Sequence, residues 1–121
     1  MDNDLRAISF DRNKAPDWTT LKSHYWEKGR LVRAGLSGIE HYDLASFSQW
    51  VESARANGLA SFQEEETDGS THIMGNLAHR ASHYQATMEG GSVVGVNSIQ
   101  LLKHQGAWKI ISMLWDVPPP I

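Results

Sequence analysis

Cysteine is absent from the 121 residues. That removes disulfides, thiolate zinc sites and cysteine nucleophiles, and it fits a reducing compartment. Charge is modest. Eleven Lys and Arg stand against 14 Asp and Glu, for a net charge of −3. No basic cluster offers a surface to phosphates, so nucleic acid is not an expected partner. The acidic excess is too small to imply a cationic partner. Long apolar runs are also missing: none approaches the roughly 20 residues needed to span a bilayer. The N-terminus, MDNDLRAISF, has two early acids and no apolar core, unlike a secretory signal. The expectation is a cytoplasmic protein with no membrane contact. Proline is scarce, and three of the four prolines, Pro118 to Pro120, end the last strand, since proline cannot continue a ladder.

What is present is ordinary for a globular chain, with 40% hydrophobic and 21% charged residues. The length predicts a single domain, residues 1–121, with a sizeable core. The most informative stretch is Gly91 to Asp116. Two runs rich in β-branched and aromatic residues, Val93 to Lys103 and Trp108 to Val117, flank the polar break His104-Gln105-Gly106. That pattern predicts a hairpin. Both alternating faces are apolar: Trp108, Ile110 and Leu114 on one, Ile111, Met113 and Trp115 on the other. A sheet apolar on both faces needs cover on both, so helices are expected on one side and a partner subunit on the other.

Earlier in the chain the pattern is helical. Asp4 to Asp11 reads as a short first helix, broken by Asn13-Lys14-Ala15-Pro16. Asp17 is a candidate N-cap for a second helix over Trp18 to Trp26, ended by Gly29. Arg30 to Ala34 reads as a short strand and Gly35 to Tyr42 as a loop. Asp43 then caps a third helix, Leu44 to Ala56, whose stripe is Phe47, Trp50, Val51 and Ala54. Ala60 to Thr67 and Thr71 to Thr87 read as strands joined at Asp68-Gly69, the strongest two-residue turn signal present. Glu89-Gly90-Gly91 gives a further turn. Helices first and strands last, joined by tight turns, define an α+β class with a mostly antiparallel sheet.

Several motifs extend this reading. They are Phe62-Gln63-Glu64, Gly75-Asn76-Leu77-Ala78-His79, Ser82-His83-Tyr84, Gly95 to Leu101, Gly106-Ala107-Trp108-Lys109-Ile110 and Leu114-Trp115-Asp116. With them the second half resembles the NTF2-like superfamily, in particular its SnoaL-like bacterial branch. The resemblance implies a strongly curved, mixed or antiparallel sheet wrapped into a cone. About three N-terminal helices would close the mouth, the first of them short here. It also implies frequent homodimers through the outer sheet face. Known chemistries of the superfamily include ketosteroid isomerases, dehydratases, epoxide hydrolases and polyketide cyclases. Other members only bind or associate, so fold alone assigns no activity. Laid on the isomerase pattern, Trp115 falls at a pocket aromatic, Ser98 at the oxyanion-stabilising acid and Arg33 near the base. An arginine stays protonated, and a serine hydroxyl is a weaker donor than a carboxylic acid. Ketosteroid isomerisation is therefore not expected.

Strand alternation with Trp115 inward predicts that Met113 and Ile111 face the cone, with Val96, Ser98 and Gln100 across the hairpin and His79, Ala81 and His83 beyond them. One bulge would flip the set. His79 and His83 are the candidate acid–base groups, because histidine titrates near neutrality. On a strand they stand about 13 Å apart, too far to share a metal, so no metal and no cofactor are expected. Ser98, Gln100, Trp115, Met113 and Arg33 are the candidate ligand contacts. Glu64 and Glu66 could orient a histidine or form a charged edge. Arg33 and Arg80 could bind an acidic ligand or pair with a glutamate of the next strand. Three functions follow. The leading one is binding of a small apolar or cyclic metabolite in the cone pocket. The alternatives are a cofactor-free isomerase, dehydratase or cyclase using a pocket histidine, and a homodimeric association module with no ligand.

Overall fold

Two aspartates start the two helices. In the computed structural model, which describes residues 8–11, 13–35 and 38–116, the Asp17 carboxylate accepts the backbone N–H of Thr20 at the head of α1 (Trp18–His24). Asp43 forms a reciprocal capping box with Ser46 at the head of α2 (Leu44–Ala56). The six strands are β1 (Tyr25–Gly35), β2 (Gly38–Tyr42), β3 (Phe62–Met74), β4 (Leu77–Met88), β5 (Gly91–His104) and β6 (Ala107–Asp116). They form one sheet in the order β2-β1-β6-β5-β4-β3. The β1–β6 pair is parallel and the other pairs are antiparallel.

Both helices pack on the concave face. Leu21 of α1 and Phe47 of α2 join Tyr25, Leu31, Ile99, Ile110 and Met113 in the main core. Phe47 is the hub. Its ring lies edge-on to Trp18, Tyr42 and Trp115 with centroids 6.1–6.2 Å away, and tilted against Trp50 at 5.9 Å. Such pairs add to the area each ring buries. Trp18 Nε1 donates to Glu52 Oε1 at 3.1 Å and ties α1 to α2.

The described residues contain two helices where three are expected. The expected first helix, Asp4 to Asp11, lies mostly outside them, and its described part is not helical: Phe10 bridges to Phe62 of β3. Other expectations shift for local reasons. The second helix stops at His24, and Trp26 sits in β1 at 43% exposure. Gly29 does not end a helix. It is buried where β1 shifts register, and a Cβ there would meet the Trp26 carbonyl oxygen at 3.0 Å. Residues 38–42 form a strand, not a loop.

Asp68-Gly69 is no turn either. β3 runs through it with a shift that leaves Thr67 unpaired, and a Cβ on Gly69 would strike the Arg80 guanidinium. The hairpin closes instead at Gly75-Asn76, with Gly75 at φ +62°. The Gln105-Gly106 turn stands as expected, both residues having positive φ as a type I′ turn requires.

The decisive difference lies in β6. From His104↔Ala107 the ladder counts evenly to Leu101↔Ile110, and the next pair is Gln100↔Ser112. Ile111 is an extra residue, a β-bulge. Beyond it Trp115 pairs with Asn97, whereas an even count would pair it with Val96. Ile110, Met113 and Trp115 therefore share the concave face with Asn97, Ile99 and Leu101. Leu114 faces outward with Ser98, and Ile111 does not share the face of Met113 and Trp115.

Gly95 lies opposite Tyr84, and a Cβ there would stand 2.6 Å from the Tyr84 hydroxyl oxygen. The variant Gly95→Ala must displace that ring. It is expected to lose about 1–3 kcal/mol in denaturant unfolding, while a double variant that also changes Tyr84 to Phe recovers part of the loss.

Candidate functional site: the cone cavity

The concave face and α2 enclose a cavity of about 230 Å³. Its wall is mostly apolar. Seven lining side chains are aromatic, among them Tyr25, Phe47, Trp50, Tyr84 and Trp115. Met113 also lines it and accepts the Tyr25 hydroxyl at Sδ, 3.9 Å away.

Three wall groups carry chemistry. Asn97 is 2% exposed, and its Nδ2 has no hydrogen-bond partner among the described residues. Glu64 is 8% exposed, with its backbone N–H bonded to Ser9 Oγ at 2.9 Å. Tyr84 is buried, and burial first, then the nearby Glu64 and Asp116 carboxylates, push its phenol above the usual range. Tyr84 is thus a neutral donor at any physiological pH. A buried donor left unmade costs about 1–3 kcal/mol, so the Asn97 amide is the group on this wall that most needs an acceptor.

Of the predicted contacts, Trp115 and Met113 line the cavity. Arg33 does not line it, and its charge is already matched. Nη1 bonds Glu40 Oε2 at 3.0 Å, and the guanidinium stacks over Trp50 at 5.2 Å. The Tyr42 hydroxyl, ahead of Arg33, holds the Glu40 carboxyl below its ordinary range. Arg80 likewise pairs with Glu66 of the neighbouring strand at 2.8 Å.

The remaining predicted residues do not face the cone. His79 pairs with Gln100, Ala81 with Ser98 and His83 with Val96, all on the convex face, because the Ile111 bulge inverts the parity expected across the hairpin. His79 Nε2 lies 2.8 Å from Ser98 Oγ, and Ser112 Oγ donates to Gln100 Oε1 at 3.2 Å. His79 and Gln100 also line a separate open groove of about 970 Å³, together with Trp26, Leu77 and Leu102. Among the described residues no group of three His, Cys, Asp or Glu is placed to hold a metal ion. Sequence reasoning missed Asn97 and Tyr84 and placed Glu64 beside histidines. The signal within reach was the Gly95–Tyr84 pairing, since a glycine opposite an aromatic leaves room for a ring to lie inward.

No family model matches the chain, and no curated protein matches it. Solved structures do. An NTF2-like protein of unknown function from Pseudomonas putida KT2440 superposes with TM-score 0.72 at 14% identity, over 96% of this chain and 80% of that one. A cystatin-like-fold protein of unknown function from Nostoc punctiforme PCC 73102 gives 0.70 at 15% identity, over 97% and 84%. An NTF2-like protein of unknown function from Shewanella baltica OS155 gives 0.65 at 11%, over 98% and 86%. These likenesses define an α+β protein with helices on the concave face of a curved sheet. The fold is the NTF2-like fold.

The Glu66 carboxyl offers a check on the concave-face charges. Burial pushes it up, but opposing interactions led by the Arg80 hydrogen bond together hold it below the ordinary glutamate range. A carboxyl lowered in the folded state stabilises fully above its unfolded pKa, and that contribution is lost as pH falls through the lowered value. Glu66→Gln is therefore expected to cost roughly 1–2 kcal/mol near neutrality. Its deficit against the parent chain should shrink in urea unfolding as pH drops from about 6 to about 3.

Proposed function

We propose that this chain binds a small, mostly apolar molecule bearing a carbonyl-type acceptor, held in the cone cavity. The supporting observation is the Asn97 amide: buried, without a partner at Nδ2 among the described residues, and set in a mostly apolar wall. Pockets that take drug-sized ligands run from about 300 Å³ upward. At about 230 Å³ this one suits a one- or two-ring molecule. Aromatic walls would hold the body of the ligand, and Asn97 would fix its oxygen. Trp115 and Met113, which line the cavity, would contact the ligand, whereas Ser98, Gln100, His79 and His83 stand on the convex face. A cofactor-free isomerase, dehydratase or cyclase of the SnoaL-like kind that used a pocket histidine would need that histidine inside the cone, and no histidine lines the cavity among the described residues.

The convex face favours a second reading alongside the first, association of two copies. Val94 is 67% exposed there, and Val96, Leu102 and Leu114 are exposed beside it. An apolar face of this kind marks an interaction site. A homodimer through it agrees with the expected cover on both sides of the β5–β6 hairpin, and the cysteine-free composition supports a cytoplasmic setting. Light scattering after gel filtration should give twice the monomer mass. The double variant Val96→Glu with Leu114→Glu should give the monomer mass with the fold retained. An unchanged mass in that variant would place the interface elsewhere.

Acetophenone, a one-ring ketone, tests the cavity reading. It should bind the parent chain in a calorimetric or NMR titration. Asn97→Leu removes both the unmade donor and the ligand's partner. Folding stability should hold or rise in this variant, while acetophenone binding weakens by about tenfold, one hydrogen bond's worth. Equal binding by the variant would show that Asn97 does not read the ligand.

A further inference from the structure

The convex face gathers histidines. Cross-strand partners share one face of a sheet, so the pairings run in rows. One row crosses β3, β4, β5, β6 and β1 as His72, His79, Gln100, Ser112 and Arg30. A parallel row further along holds Asp68, His83 and Val96. His72 and His79 are direct partners, and both are exposed. Side chains in such a pair stand about 5 Å apart at Cβ, and like charges there repel. His83 differs, since its partner is the acid Asp68.

Neutral, the His72–His79 pair is compatible with an apolar cover. Charged, it loses hydration on both rings under that cover and repels itself. His79 already stands in partly apolar surroundings, in the groove that Trp26, Leu77 and Leu102 also line. Its Nε2 is 2.8 Å from Ser98 Oγ, which ties the ring toward β5. Among the described residues, the charged and titratable groups around the pair are Glu27, His104 and Lys109 in the same groove, Arg30 at the far end of the row, and the Asp68 and His83 partners beyond. Glu27 is offset by Lys109, and Asp68 lies opposite His83, not opposite the pair.

The cover that fits this face is a second copy. β6 and β5 are the two central strands of the sheet, and the exposed Val94, Val96, Leu102 and Leu114 lie on them. Copies related by a two-fold axis present the same patch to each other. An axis along the β5–β6 seam sets apolar centre against apolar centre and lays β4 of each copy over β1 of the other. Arg30 then comes down on the His79 row. A neutral imidazole accepts a hydrogen bond from a guanidinium, and a charged one repels it.

We propose that the His72–His79 pair is a pH gate on the association of two copies through the convex face: the dimer holds while these rings are neutral and separates once they take up protons. This rests on the homodimer reading and names what regulates it. Burial in the contact favours the neutral rings, so two free copies bind more protons than the dimer does. Association therefore weakens as pH falls through the range in which histidine charges, about pH 8 to 5.

Sedimentation velocity at about pH 7.5 and about pH 5.5 tests the gate. The dimer dissociation constant of the parent chain is expected to rise at least about tenfold, the effect of keeping one ordinary histidine neutral across that interval. The double variant His72→Gln with His79→Gln keeps polar side chains without the charge, and it should dimerise equally at both values. The variant His72→Lys, charged throughout, should be largely monomeric already at the higher pH. A parent that is monomeric at both values overturns the homodimer reading and the gate with it. A parent dimer equally tight at both overturns the gate alone. So does a double variant that loosens as much as the parent, or, should that variant fail to fold, a His72→Lys chain that dimerises as the parent does.

Discussion

One extra residue in β6 decides what chemistry this fold can do. Side chains alternate strictly along a strand, so an unpaired residue exchanges the two faces of everything beyond it. Ile111 is that residue. Without it Trp115 would sit opposite Val96, and Ser98, Gln100, His79 and His83 would line a polar, titratable cone. With it, Trp115 sits opposite Asn97, and the concave face carries Asn97, Tyr84 and Glu64 in an aromatic wall. The histidines move to the convex face among exposed valines and leucines. The same 121 residues thus hold two different sites, selected by one bulge.

The wall that results is not the most stable one. Asn97 keeps a donor unmade in the interior among the described residues. An apolar side chain of similar volume would pack there without that cost. The surrounding core is well able to carry such a load. Phe47 anchors four rings, both helices start on satisfied aspartate caps, and Arg33 is paired with Glu40. Local rules obeyed throughout the scaffold and broken on one wall are the ground for the ligand binding proposed above.

Where local chemistry decides, the sequence was readable. Asp43 and Asn57 bound α2 at the expected residues, and the Gln105-Gly106 turn was visible as a glycine between two β-branched runs. The resemblance of residues 60–116 pointed to the fold observed. Where distant contacts decide, it was not. Trp26 fits a helical stripe, but β1 begins at Tyr25, which pairs with Ile110 some 85 positions on. Asp68-Gly69 is the better turn by local preference. It loses because Gly69 is needed to make room for Arg80 and its bond to Glu66. A bulge leaves almost no sequence mark, since Ile111 is as good a strand residue as its neighbours. The fold was therefore legible and the inner face was not.

The register of β5 against β6 is the most direct test. Cross-strand backbone NOEs in the isotopically labelled protein report which residues face each other. The account requires contacts between Asn97 and Trp115 and between Ile99 and Met113, with the Asn97 side-chain amide close to the Trp115 ring. Contacts between Val96 and Trp115, and between Ser98 and Met113, would mean that no bulge exists. The cone would then be lined by Ser98, Gln100 and the histidines, and the proposal of ligand binding at Asn97 would fall.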